Sequence, residues 1–103
     1  MATKSETIDL YAFLFAPAGV TAKKMFGEYA LYCEGKLFAL VCDDTLFVKI
    51  TPWSEKTLVN AEKLPPYDGA KPMFAVREKD SAFLCALAKA VSAELPESKR
   101  KKR

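Results

Sequence analysis

Lys23-Lys24-Met25-Phe26-Gly27-Glu28-Tyr29-Ala30-Leu31-Tyr32-Cys33-Glu34-Gly35-Lys36-Leu37-Phe38-Ala39-Leu40-Val41-Cys42-Asp43-Asp44-Thr45-Leu46-Phe47-Val48-Lys49-Ile50 is the stretch that carries the fold. Tyr29 to Cys33 is strand-like. Glu34-Gly35 interrupts it, Lys36 to Cys42 is almost wholly apolar, Asp43-Asp44 interrupts again, and Thr45 to Ile50 alternates. Apolar runs separated by two-residue breaks predict an antiparallel meander. In the last run Leu46, Val48 and Ile50 share one face, with Phe47 and Lys49 on the other. Lys36 to Cys42 has no such alternation, because Leu37, Phe38, Leu40 and Val41 place apolar groups on both faces. That pattern predicts a central strand covered on both sides, by helices or by another subunit. A charge at Leu40 is then expected to unfold the domain. Thr21 to Met25 begins the first strand, and Gly27 inside it marks a bulge or bend.

Outward from this stretch, Thr3 and Glu6 fit a capping box ahead of a helix from Ile8 to Phe15. Leu10, Phe13 and Leu14 lie on one face with Ile8, Tyr11 and Phe15 beside it, which predicts a deeply buried helix. Pro17-Ala18-Gly19 ends it. Downstream, Thr51-Pro52 supplies a hydroxyl cap and a proline at the first helical position of a short helix, Trp53 to Asn60. Pro65 to Pro72 holds three prolines and a glycine and reads as a loop. Met73 to Arg77 adds a strand. Asp80 caps a final helix with Leu84, Leu87, Ala88, Val91 and Leu95 as its apolar stripe, and Pro96 stops it. The order α-β-β-β-α-β-α describes a small two-layer α+β domain over residues 1–96, an antiparallel meander flanked by helices.

The same residues carry a family resemblance. Lys24-Met25-Phe26-Gly27-Glu28-Tyr29-Ala30-Leu31-Tyr32, then Gly35-Lys36, then Asp44-Thr45-Leu46-Phe47-Val48-Lys49 resemble the N-terminal domain of the TfoX/Sxy competence regulators. Pro65-Pro66-Tyr67-Asp68-Gly69-Ala70-Lys71-Pro72-Met73-Phe74 continues the match, and Glu94-Leu95-Pro96 before a lysine-rich tail resembles the small stand-alone members. The resemblance implies a sheet flanked by helices and a bacterial regulatory module with no known enzymatic activity. Full-length regulators of this type carry a second, C-terminal domain, and this sequence resembles the first.

A chain of 103 residues makes one domain with a modest core. Half of its residues are apolar and 28% are charged, the balance of a soluble globular protein. No apolar run approaches the roughly 20 residues that span a bilayer. The opening Met1-Ala2-Thr3-Lys4-Ser5-Glu6 meets acid too early for a secretory signal. Cys33, Cys42 and Cys85 are an odd number in apolar surroundings, which fits reduced, buried thiols in a cytoplasmic protein. The net charge is +3, but removing Lys99, Arg100, Lys101, Lys102 and Arg103 leaves −2. The basicity therefore lives in residues 97–103, a self-repelling tail expected to stay disordered unless a partner neutralises it.

Catalytic chemistry finds little support. The chain has no histidine, so it lacks the usual base near neutral pH and the usual zinc and haem ligand. The cysteines make no CxxC, and the glycines form no phosphate-binding motif. No cofactor or metal is expected. Cys85, in the first turns of the last helix, is the least implausible reactive thiol, and it reads better as a small packing residue. Asp43-Asp44 reads as a solvated turn rather than a carboxylate pair.

Binding has more candidates. Lys24, Met25, Phe26, Gly27 and Tyr29 form either an exposed recognition edge with an aromatic anchor or a piece of core with a bend. Trp53, Tyr67, Phe74 and the Pro65–Pro72 loop form a second candidate surface, or a loop that covers a sheet edge. Lys99, Arg100, Lys101, Lys102 and Arg103 form either a solubilising end that contacts nothing or a phosphate contact, with a salt slope of at most about −4.5 on duplex DNA and no base readout. The leading expectation is a non-enzymatic adaptor with an unknown protein partner, and no membrane contact. The rival is a nucleic-acid-binding protein that combines the tail with Lys23 and Lys24. A homodimer would also supply the second cover of the central strand.

Overall fold

Left-handed backbone at two dipeptides turns the apolar stretch into a sheet. In the computed structural model, which describes residues 4–25 and 28–95, Glu34 and Gly35 have φ of 54° and 79°, and Asp43 and Asp44 have 52° and 60°. Two successive positive φ values make a two-residue turn whose twist matches that of paired strands. The first turn joins β2 (Glu28–Cys33) to β3 (Lys36–Cys42), and the second joins β3 to β4 (Thr45–Val48). Ahead of them, β1 (Thr21–Met25) pairs antiparallel with β2, with Met25 opposite Glu28. The expected single strand bent at Gly27 is therefore two paired strands. Phe26 and Gly27 themselves lie outside the described residues.

The chain then forms α2 (Pro52–Thr57), β5 (Glu62–Leu64), β6 (Met73–Val76) and α3 (Ser81–Ala93), after α1 (Ser5–Phe15) at the start. The fold is α+β, with six antiparallel strands in the order β1-β2-β3-β4-β6-β5. The element order is α-β-β-β-β-α-β-β-α, two strands more than expected. β5 was invisible in the sequence because Glu62, Lys63 and Leu64 are all exposed and carry no apolar alternation. It is held by pairing to Met73, Phe74 and Ala75.

Caps set the helix ends. Asp80 accepts the Phe83 N–H at 3.0 Å, as expected for α3. At α2 the Thr51 hydroxyl accepts from the Ser54 N–H at 3.2 Å while Ser54 Oγ accepts from the Thr51 N–H at 2.7 Å, a reciprocal capping box. The expected box at α1 rests on Thr3 with Glu6. Thr3 lies outside the described residues, the cap position is Lys4, and its side chain makes no cap bond. Instead Asp44, from the β3–β4 turn, accepts the Lys4 N–H at 2.8 Å and the Thr7 hydroxyl at 2.9 Å. Aspartate adopts left-handed backbone more readily than most non-glycine residues, and at Asp44 the carboxylate also ties the turn to α1.

Those two donors hold the Asp44 carboxyl below its usual range. A carboxyl with a depressed folded-state pKa adds stability that is complete above its unfolded pKa and is lost as pH falls through the folded one. Asp44→Asn is therefore expected to melt below the parent at pH 7. The gap should close as pH falls below about 4. Thermal melts of both proteins across that range check this, and a gap independent of pH would contradict it.

The helices cover one sheet face. Ile8, Tyr11, Leu14 and Phe15 of α1 and Leu84, Leu87, Ala88 and Val91 of α3 share a core with Leu31, Ala39, Val41, Leu46, Val48 and Phe74. Leu10 and Phe13, expected on the buried side of α1, are 41% and 75% exposed. Only one stripe of a helix can face the sheet, and the Ile8–Tyr11–Phe15 stripe takes it. Between β2 and β3 the register passes from Leu31–Ala39 to Tyr32–Leu37, which leaves Phe38 as an extra residue. This bulge puts Phe38 and Ala39 on the same helix-covered side. The Phe38 ring meets Phe15 edge-on at 5.6 Å. The missing alternation in β3 was partly this bulge.

Candidate partner-binding surface

The other sheet face carries a second, smaller cluster, Cys42, Phe47, Met73 and Ala75, with half-buried Leu40 against it. No helix residue belongs to that cluster. Beside it the Pro65–Pro72 loop and the sheet enclose a groove of about 610 Å³. Its apolar wall is Leu37, Leu40, Ile50, Tyr67 and Met73, and its charged side chains are Lys49 and Lys71. Ile50, expected on the Leu46–Val48 face, lies past the end of β4 and is 38% exposed, and Tyr67 is 61% exposed. Pro66 is buried and anchors the loop. Of these residues, Tyr67 and the Pro65–Pro72 loop that holds Pro66 and Lys71 were singled out as a surface from the sequence. The two-sided apolar character of Lys36–Cys42 marked Leu37 and Leu40, and no sequence signal placed Lys49, Ile50 or Met73 at this surface.

The other candidates are scattered. Lys24 and Tyr29 are cross-strand partners, and Tyr29 packs half-buried against the helix-side core. Met25 pairs with Glu28 at the end of the same ladder, next to Phe26 and Gly27, which lie outside the described residues. Trp53 is half-buried on the helix-side core, and its backbone N–H donates to Glu94 Oε1 at 2.8 Å. Phe74 is 2% exposed in that core, so it is not part of any surface. The expected Trp53–Tyr67–Phe74 surface therefore does not exist as one patch. Lys23 and Lys24 are successive residues of β1, so they project to opposite faces and do not form one basic surface. Lys99, Arg100, Lys101, Lys102 and Arg103 lie outside the described residues.

A second groove of about 590 Å³ lies among the end of α2, β5, β6 and the start of α3. Its cations are engaged. Arg77 pairs with Glu62 at 3.8 Å, and Lys79 sits 5.5 Å over the Tyr11 ring.

The thiols are placed for packing. Cys33 and Cys42 are buried, and Cys85 is half-buried with its Sγ 3.4 Å from the Leu14 carbonyl. Burial, with the Glu28 and Asp43 charges nearby, pushes the Cys42 thiol up to about 11. At pH 8 that leaves about one thiolate in a thousand. Labelling of the native protein with a thiol reagent, followed by mass spectrometry, should therefore modify Cys85 first and spare Cys33 and Cys42 until unfolding. Rapid native labelling of Cys42 would contradict this. Among the described residues no group of three acidic or thiol side chains is arranged to hold a metal, and no helix is long and apolar enough to cross a membrane.

The family model for the TfoX N-terminal domain matches residues 13–88, from within α1 to within α3. This chain belongs to the TfoX N-terminal domain family. It is also 32% identical over 97 residues to the "Uncharacterized 12.7 kDa protein in trpE 5'region" of Spirochaeta aurantia, covering 88% of this chain and 84% of that protein. The matched span of this TfoX N-terminal domain contains all six strands and every residue of the groove.

Proposed function

We propose that this TfoX N-terminal domain is a non-enzymatic regulatory adaptor of the bacterial cytoplasm, acting through contact with another protein. The observation that carries the reading is the sheet face that no helix among the described residues covers, where Leu37, Leu40, Ile50, Tyr67 and Met73 line an apolar groove. A cluster of partly exposed apolar groups beside a structured loop is how interaction sites present themselves. Family membership supports a regulatory role, and the shifted titratable groups support a structural one. Asp44 ties a turn to α1, and the Cys42 thiol is held in its protonated form. The tail keeps a subsidiary part as a non-specific phosphate contact.

The test compares tagged parent protein with Tyr67→Asp, after melts show that both fold. Each is purified from the cells that normally make it, and retained proteins are quantified by mass spectrometry. A protein retained in fixed proportion by the parent and lost with Tyr67→Asp is the expected result. Identical sets for both proteins would overturn the assignment of the surface.

A further inference from the structure

We infer that the groove on the helix-free face takes an apolar peptide segment flanked by carboxylates, a partner chemistry that rests on the adaptor reading above. The wall is aliphatic apart from Tyr67. Its charged side chains are Lys49 and Lys71, and no acidic residue lines it. A segment that buries apolar side chains there brings its flanking residues toward two ammonium groups. Acidic flanks are attracted, and basic ones are repelled as the groove desolvates.

The groove is also built to bind at low entropic cost. Pro65, Pro66 and Pro72 fix the backbone of the loop that forms one side, and Ala70 N–H donates to the Tyr67 carbonyl at 3.1 Å. At about 610 Å³ it has the size of sites that enclose a small ligand, which is room for a few apolar side chains. A single-stranded nucleic acid fits the lining less well. Base stacking needs a series of aromatic faces, and this wall offers one. The chain's own tail is basic and meets the lysines with like charge.

The probes are two short fluorescent peptides with the same leucine-phenylalanine centre, one flanked by glutamates and one by lysines. Anisotropy with the intact chain should show the glutamate-flanked peptide binding about ten-fold more tightly at low salt, a preference of roughly the size two partly exposed charge pairs supply. Tyr67→Ala should weaken it with an unchanged melting temperature. The Lys49→Glu, Lys71→Glu double variant should reverse the preference. Equal affinity for both peptides, no binding of either, or a preference that survives charge reversal would overturn the inference.

If the peptides fail while Tyr67→Asp still loses a protein in the purification, the adaptor reading stands and the acidic specificity falls. If a single-stranded oligonucleotide displaces the peptide and binds the chain ending at Ser98, both fall. Self-association abolished by Phe13→Glu would assign the groove to a second copy instead. The exposed Glu6, Asp9, Leu10 and Phe13 of α1 have the same acidic and apolar chemistry.

Discussion

Val41→Asp is expected to abolish folding, whereas Leu40→Asp, which the two-sided apolar pattern marked as the unfolding change, is expected to leave the domain folded because Leu40 is only half-buried. Val41 is 0% exposed, points into the helix-side core and pairs with Leu46 and Tyr29 on its two neighbouring strands. A carboxylate there has no partner and no water. Whether it stays charged or takes up a proton, the buried carboxyl and the lost Val41 packing cost several kcal/mol, comparable with the whole stability of a small domain, about 5–15 kcal/mol. Leu40 is half-buried on the opposite face, at the groove, where an acid reaches solvent. Its replacement should cost about 1–3 kcal/mol. Circular dichroism and denaturant melts of the two variants check this. A cooperative, parent-like melt of Val41→Asp would contradict the central placement of β3.

Phe15→Ala is the next largest effect expected. Phe15 is fully buried at the end of α1, packs edge-on against Phe38 across 5.6 Å, and has Tyr11 at 6.3 Å on its own helix. Removing the ring takes away its transfer free energy, leaves a cavity and strips Phe38 of its aromatic neighbour. Together these should cost about 3–5 kcal/mol. Phe13→Ala, two residues earlier and 75% exposed, should change stability by less than about 0.5 kcal/mol. Urea midpoints of the pair measure the difference. Equal losses would mean that α1 is rotated on the sheet.

The contrast between these neighbours marks where the sequence was legible. Devices that act over three or four residues were readable. Glu34-Gly35 and Asp43-Asp44 turn, Thr51-Pro52 and Asp80 start helices, and Pro65–Pro72 is a loop. Choices made by packing were not. Six apolar positions on α1 compete for one buried stripe, and only the sheet decides that Leu10 and Phe13 lose. The β3 bulge hid its alternation, and β5 exists only because β6 offers an edge. Asp44 looked like a turn former, and its second role, capping α1 from 40 residues away, needs the tertiary fold.

The candidate site divides the same way. Tyr67 was visible as an aromatic in a rigid loop. Leu37, Leu40, Ile50, Lys49 and Lys71 converge on it through strand register and loop path, which no local pattern encodes. Trp53 and Phe74 belong to the helix-side core instead. Among the described residues the helices secure one face of the sheet, and the groove lies on the other.

The most direct measurement is fluorescence anisotropy of labelled duplex DNA titrated with the intact chain and with a version ending at Ser98, at low and near-physiological salt. The account predicts weak, salt-sensitive binding by the intact chain and none by the shortened one, because Lys23 and Lys24 face opposite ways. Duplex binding by the chain ending at Ser98 that persists at near-physiological salt would contradict it, and would make the folded body a nucleic-acid-binding domain.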